Sequence, residues 1–164
     1  TMPVAHYSSP LGMLRIECSE EHITAVVFRE ETVAEENESH PLLQSCLSQL
    51  EDYFSGKRKS FDLPLAQVGT PFQQKVWDLL YQIPYGKTMS YQQLALQYGD
   101  LKAIRAVASA NGKNNLAIII PCHRVIGSNR SLTGYAGGLW RKKWLLEHEA
   151  KHHSGVAQLG LLLS

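Results

Sequence analysis

Residues 118–125 read I-I-I-P-C-H-R-V, and they hold the densest chemistry in the chain. A thiolate is a soft nucleophile, but a free thiol titrates near ~8.5 and is mostly protonated at neutral pH. A base or cation beside it raises the thiolate fraction. His123 and Arg124 follow Cys122 directly and could serve in those roles. A lone cysteine is more often a small buried hydrophobe, so the pair alone does not make a site. Ile118 to Ile120 suit a short strand buried on both faces. Pro121 has no N–H to donate, so it ends sheet pairing just before the thiol.

The unit Pro121-Cys122-His123-Arg124-Val125 continues through Gly127, the T-G-Y-A-G-G run of residues 133–138, and a helix reaching Glu149. Upstream, residues 69–114 belong to the same pattern. Together they resemble the active-site region of the O6-alkylguanine-DNA alkyltransferases, over roughly half of the chain; the N-terminal part resembles that family only weakly. The resemblance implies an α/β (α+β) chain. A small ribonuclease-H-like lobe of sheet plus helix comes first, then a mostly helical, winged helix-turn-helix lobe that carries the Pro-Cys-His-Arg site.

By that resemblance Cys122 accepts the alkyl group. His123 is the general base, acting through a water, and Glu149 holds and charge-stabilises it. Asn114 braces the turn, and Tyr91 donates to the purine and presses on the neighbouring phosphate. Tyr135, with Ala136 and Gly137, lines the pocket of the flipped base, and backbone groups near Cys122 and Val125 read the guanine edge. On the DNA side stand Arg105, as the finger that fills the gap, with Ala103, Lys102, Arg124 and Ser90. The second helix of the helix-turn-helix is expected in the minor groove, with Ala103, Val107 and Ala110 as the small residues that allow close approach. The chemistry explains the demand for these types. Displacement at carbon needs a soft nucleophile, a base and donors toward the leaving purine. The target atom lies in the stack, so its nucleotide must be flipped out. An arginine can fill the gap because its planar guanidinium stacks and donates. Arg130, Asn115, Ile104 and Ala136 depart from common family residues, which touches substrate range and loop rigidity.

Several elements must position these groups. Val4 to Ser8, Leu14 to Cys18 and Ile23 to Phe28 are β-rich, with Ser9-Pro10-Leu11-Gly12 as a turn. Residues 30–40 are acidic and polar, a loop. Residues 41–54 carry apolar side chains at helical spacing, stopped by Gly56. Residues 62–69 read as a linker. Thr70-Pro71 starts a helix as N-cap and first residue, with Phe72, Val76, Leu79 and Leu80 on one face. Ser90 and Gln93 form a capping-box pattern for the next helix. Asp100 caps a third, from Leu101 to about Gly112. Helix, glycine turn and helix make helix-turn-helix spacing. After Cys122 a strand, a tight turn and a second short strand at Ser131-Leu132 are expected. The last helix, 139–150, should turn Leu139, Trp144 and Leu145 inward and Arg141, Lys142 and Lys143 outward. Leu159 to Leu163 could pack on the body.

The totals set bounds. A chain of 164 residues, 44% hydrophobic and 19% charged, can bury a core in one compact unit or two small lobes; the division expected is 1–68, an N-terminal α+β supporting domain, and 69–164, a C-terminal DNA-binding domain. No run approaches the ~18 apolar residues of a membrane span, and the N-terminus lacks a secretory pattern. Three cysteines without Cys-x-x-Cys spacing argue against a disulfide framework or zinc knuckle. Cys18 and His22 lack supporting ligands, so no metal is expected. A free thiol suits a reducing, cytoplasmic compartment. Net charge is +1 overall, but residues 1–68 hold 5 Lys and Arg against 11 Asp and Glu, while residues 101–164 hold 9 against 2. The basic third carries the motifs, as a phosphate-facing surface requires.

The expected function is therefore DNA repair by irreversible, single-turnover transfer from O6-alkylguanine, and by similar chemistry O4-alkylthymine, to Cys122. The expected partner is double-stranded DNA bound in the minor groove with little sequence specificity, by a monomer able to cluster on DNA. No cofactor is expected, because the lesion is the donor. Two rivals are a lesion binder without transfer and a cysteine hydrolase. The retained Cys122 speaks against the first, and the helix-turn-helix would have no purpose in the second.

Overall fold

The computed structural model describes residues 2–30, 37–129 and 131–154. The chain divides into two compact units, residues 1–68 with 115–119, and residues 69–114 with 120–164.

In the first unit β1 (Val4–Ser9), β2 (Gly12–Cys18) and β3 (Ile23–Arg29) form an antiparallel sheet in chain order. Alternation along β2 puts Leu14, Ile16 and Cys18 in the core beside Ala5. A bulge at the Glu17/Cys18 pairing lets Ile23 and Val26, three residues apart on β3, pair with Cys18 and Ile16 and be buried as well. α1 (Pro41–Phe54) packs on the sheet through its buried Leu43, Cys46, Leu50 and Tyr53. His40 caps α1, its ring nitrogen accepting from the Leu42 N–H at 3.1 Å. Residues 62–69, expected as a linker, are partly tied in. Gln49 exchanges two hydrogen bonds with the Asp62 backbone, at 2.8 and 3.0 Å, and Leu65 forms a parallel bridge to Ile23.

The other edge partner of β3 comes from far along the chain. The Val26 N–H donates to the Asn115 carbonyl at 2.8 Å, and the Ala117 N–H donates to the Val26 carbonyl at 3.0 Å. This pairs a strand edge that would otherwise stay open. The strand expected at Ile118–Ile120 does not form. Pairing stops after Leu116 and the chain turns, with Ile118 at φ 72° and 1% exposed. Burial, not strand pairing, consumes these isoleucines. A β-branched residue at positive φ is strained, so the surrounding packing must hold it there.

The second unit begins with α2 (Pro71–Tyr81), started by a Thr70–Gln73 capping box. Trp77, not foreseen on its buried face, donates from Nε1 to the Ala110 carbonyl at 2.9 Å. β4 (Met89–Ser90) leads into α3 (Tyr91–Tyr98), with Ser90 and Gln93 as its capping box. Gly99, at φ 110°, ends α3 in the left-handed conformation. Asp100 caps a 3₁₀ turn (Leu101–Ala103) that runs into α4 (Ile104–Gly112). This is the helix-turn-helix. A second 3₁₀ turn holds Cys122–Arg124, and β5 (Val125–Ile126) pairs with β4 in parallel.

No strand follows at Ser131-Leu132; the Gly127 N–H instead donates to the Ser131 carbonyl at 2.9 Å and closes a loop. α5 (Leu139–Ser154) ends the described chain. Its expected faces are partly reversed. Leu139 is 49% exposed, whereas Arg141 and Lys142 are buried. Arg141 is drawn in by the Gly137 carbonyl at 2.8 Å and Lys142 by the Thr133 carbonyl at 2.7 Å, hydrogen bonds that offset burial of their charges. The expectations on Arg130 and on Leu159 to Leu163 fall outside the described residues.

Candidate active site

Pro121 sits at φ −81°, ψ 63°, and the Cys122 N–H donates back to the Ile120 carbonyl at 2.8 Å, so a tight inverse γ-turn sets the thiol. Cys122 is 6% exposed. Burial pushes its thiol up; a hydrogen bond from Asn114 and the charge of Lys142 work against that. Asn114 also donates from Nδ2 to the Ile120 carbonyl at 2.8 Å, which braces the turn.

His123, fully buried, lies 2.7 Å through Nε2 from Glu149 Oε2. Burial holds the imidazole below its ordinary value despite the carboxylate, so it is neutral near pH 7. Burial alone would raise Glu149, but the charges and hydrogen bonds of His123 and Arg124 outweigh it and keep the carboxyl well below the usual range. Because the carboxylate can only accept, Nε2 carries the proton and donates. Nδ1 keeps its lone pair, buried and without a hydrogen-bond partner among the described residues. A neutral imidazole in this tautomer can take a proton.

Arg124 is not on a DNA-facing surface. It is 6% exposed, donates from Nε and a terminal nitrogen to both oxygens of Glu149 at 2.7 and 3.1 Å, and donates to the Ile83 carbonyl at 2.6 Å. A planar guanidinium meets a carboxylate in this way, so Arg124 fixes Glu149 and leaves one oxygen aimed at His123.

Tyr91 donates its hydroxyl to the Thr133 carbonyl at 3.2 Å. Tyr135 has a buried hydroxyl pushed well up by burial, with Cys122 and Glu149 adding to the rise. Val125 is buried in β5; in the loop Ala136 is exposed and Gly137 buried. Arg105 and Lys102 project from the helix-turn-helix, exposed, with Ala103 half-buried. Ser90 spends its hydroxyl as the α3 cap. Val107 and Ala110, expected as small residues on the docking face, are buried instead. The Ala110 carbonyl takes the Trp77 indole of α2, while the next residue, Asn111, turns its side chain toward Cys122 and Tyr91. The small residues on the open side are Ala103, Ala106 and Ser109.

Two residues of the site were not foreseen. Lys142, fully buried, reaches the Thr133 and Gly134 carbonyls at 2.7 and 3.3 Å, and burial lowers it to about 8 while Cys122 pulls the other way. Positions 142, 145, 146 and 149 follow one helical stripe, and that spacing could have marked Lys142 as buried. Asn111, 3% exposed, points its Nδ2 at the Cys122 carbonyl over a long 3.5 Å.

Residues 71–151 match the family described as 6-O-methylguanine DNA methyltransferase, DNA binding domain. Residues 2–67 match its ribonuclease-like domain. A Bacillus subtilis (strain 168) protein named methylated-DNA–protein-cysteine methyltransferase, constitutive, is 48% identical over 137 residues, covering 79% of this chain and 83% of that protein. A Methanosarcina acetivorans protein named methylated-DNA–protein-cysteine methyltransferase is 44% identical, covering 90% and 98%. The crystal structure of Mycobacterium tuberculosis OGT in complex with DNA superposes with a TM-score of 0.82 at 42% identity, covering 95% of this chain and 96% of that one. The chain belongs to the 6-O-methylguanine DNA methyltransferase family.

Proposed function

We propose that this protein repairs DNA by moving an alkyl group from O6 of alkylguanine to Sγ of Cys122, once per molecule. The observation that carries this reading is the buried Cys122-His123-Glu149 arrangement, with Nε2 committed to Glu149 at 2.7 Å and Nδ1 left to accept. The thiol proton passes to Nδ1 through a water. The thiolate attacks the alkyl carbon, the C–S bond forms and the C–O bond breaks. The electron pair goes to the purine, which takes up a proton and leaves as guanine. Tyr91 donates toward the purine as charge develops, and Lys142 stabilises the thiolate before attack. Such donors and charges act strongly in a site closed to water. The same displacement extends to O4-alkylthymine.

Double-stranded DNA is the partner. Arg105 and Lys102, exposed on the helix-turn-helix, suit a phosphate-lined groove, and the small exposed residues of α4 suit close approach in the minor groove. Arg105 fills the space of the flipped nucleotide. The protein works as a monomer in the cytoplasm; among the described residues no helix is long and apolar enough to cross a membrane.

The test is the intact and peptide mass after mixing the protein with duplex DNA carrying one O6-methylguanine. One methyl on Cys122, capped at one equivalent, is expected. Tight lesion binding with unchanged mass would mean a binder without transfer, and continuing turnover of an ester or amide would mean a hydrolase.

A further inference from the structure

The side chain of Asn111 holds an acceptor that no described residue uses. Oδ1 is buried and has no hydrogen-bond partner among the described residues. The other end of the amide is committed. Nδ2 faces the Cys122 carbonyl at 3.5 Å, and the side chain also hydrogen-bonds the Tyr91 hydroxyl. A carbonyl oxygen can only accept, so the end turned toward Cys122 is the donating one, which fixes the orientation of the amide. Trp77 donates to the carbonyl of the preceding residue, Ala110, and anchors this part of α4. Asn111 is therefore a rigidly placed acceptor beside the backbone of the nucleophile.

A buried acceptor without a donor is costly, and it is relieved when a ligand brings the donor. An O6-alkylguanine offers one kind only. Alkylation at O6 leaves N1 without its proton, and N3 and N7 carry none, so the N–H groups of the base are those of the exocyclic 2-amino group. An O4-alkylthymine has no N–H at all. We infer that Asn111 is a specificity-determining residue whose Oδ1 accepts a hydrogen bond from the 2-amino group of the flipped alkylguanine. Tyr91, which the Asn111 side chain hydrogen-bonds, donates its own hydroxyl to the Thr133 carbonyl at 3.2 Å, so donor and acceptor groups at this end of α4 are held in fixed directions.

This inference rests on the transfer reading above and deepens it. The experiment uses the full chain in single-turnover transfer, followed by intact mass, on two duplexes that differ by one group. One carries O6-methylguanine and the other O6-methylhypoxanthine, which lacks the 2-amino group. Both are run on the natural protein, on Asn111→Ala and on the closer-sized Asn111→Leu. A site that hydrogen-bonds a group rejects the analogue lacking it. Loss of the amino group should slow the natural protein about ten-fold more than it slows either variant, the signature of a coupled pair. The same slowing in all three proteins would overturn the inference. So would equal rates on the two lesions in the natural protein, a comparison that holds even if both variants fail to fold. No transfer by the natural protein from either lesion would instead overturn the transfer reading itself.

Discussion

At Cys122 the protein must make a thiolate in a place that disfavours one. Burial opposes the charge, and the Asn114 hydrogen bond, the charge of Lys142 and the local backbone each offset part of that cost. His123 is held below 6.5, so its imidazole stays neutral down to mildly acidic pH. The transfer rate should be level near neutrality and fall only below about pH 6.5, read from a single-turnover pH profile. Lys142 adds an alkaline signature. Its charge is present below about 8 and fades above it. Lys142→Met should slow transfer about ten-fold at neutral pH, with the deficit shrinking as pH rises past that value; a constant deficit across the profile would assign the lysine to loop packing alone. Glu149→Gln leaves Arg124 buried and without its counter-charge, which costs about 3–5 kcal/mol, measurable by urea unfolding. The depressed Glu149 also sets an acid limit. Its contribution to stability is complete above the ordinary value of 4.5 and is lost as pH falls toward its lower folded value. The natural protein should lose stability through that acid window, and the Gln variant should lose less. Cys122 and His123 stand side by side in one compact motif, whereas Glu149, far along the chain, was named only by the family resemblance; the structure brings it to 2.7 Å from His123. Arg124 and Lys142 were misread because charge suggests exposure, and only the pairing with Glu149 and with the loop carbonyls shows why they are inside.

The elements divide by how local their causes are. The starts of α2 and α3 were legible, because a Thr or Ser with Gln three residues later satisfies the first N–H groups by itself. The turn at Ile118 was not. A short apolar β-branched run fits either a buried strand or a packed turn, and pattern alone cannot separate them. The structure chooses the turn and holds Ile118 at φ 72°. Two terms compete in Ile118→Gly. Relief of the positive φ is worth about 1–2 kcal/mol, while loss of a fully buried isoleucine costs about 2–5 kcal/mol. A net destabilisation of about 2 kcal/mol is expected from urea midpoints. Ile118→Val keeps the branched Cβ and should cost only about 1 kcal/mol. If the held turn aims the thiol, the glycine variant should also transfer more slowly than its remaining folded fraction accounts for.

For the whole molecule the sign of charge is sorted along the chain, acidic in the first 68 residues and basic in the last third. Binding to undamaged duplex should therefore weaken log-linearly with salt, and Lys102→Ala should lower that slope by about 1, measured by fluorescence anisotropy. A slope unchanged by this substitution would remove Lys102 from the phosphate contacts. The two-part organisation could be read from the shift in pattern and charge near residue 68, but the membership of residues 115–119 could not. Their pairing with Val26 is a long-range contact that composition does not announce. That membership bears on how the protein is born. β3 receives this edge partner only after the helix-turn-helix has already been synthesised, so the first unit cannot finish folding on the ribosome when its own 68 residues have emerged. The nucleophile lies three residues beyond this segment, so a nascent chain stalled before residue 119 has neither the paired edge of β3 nor the thiol.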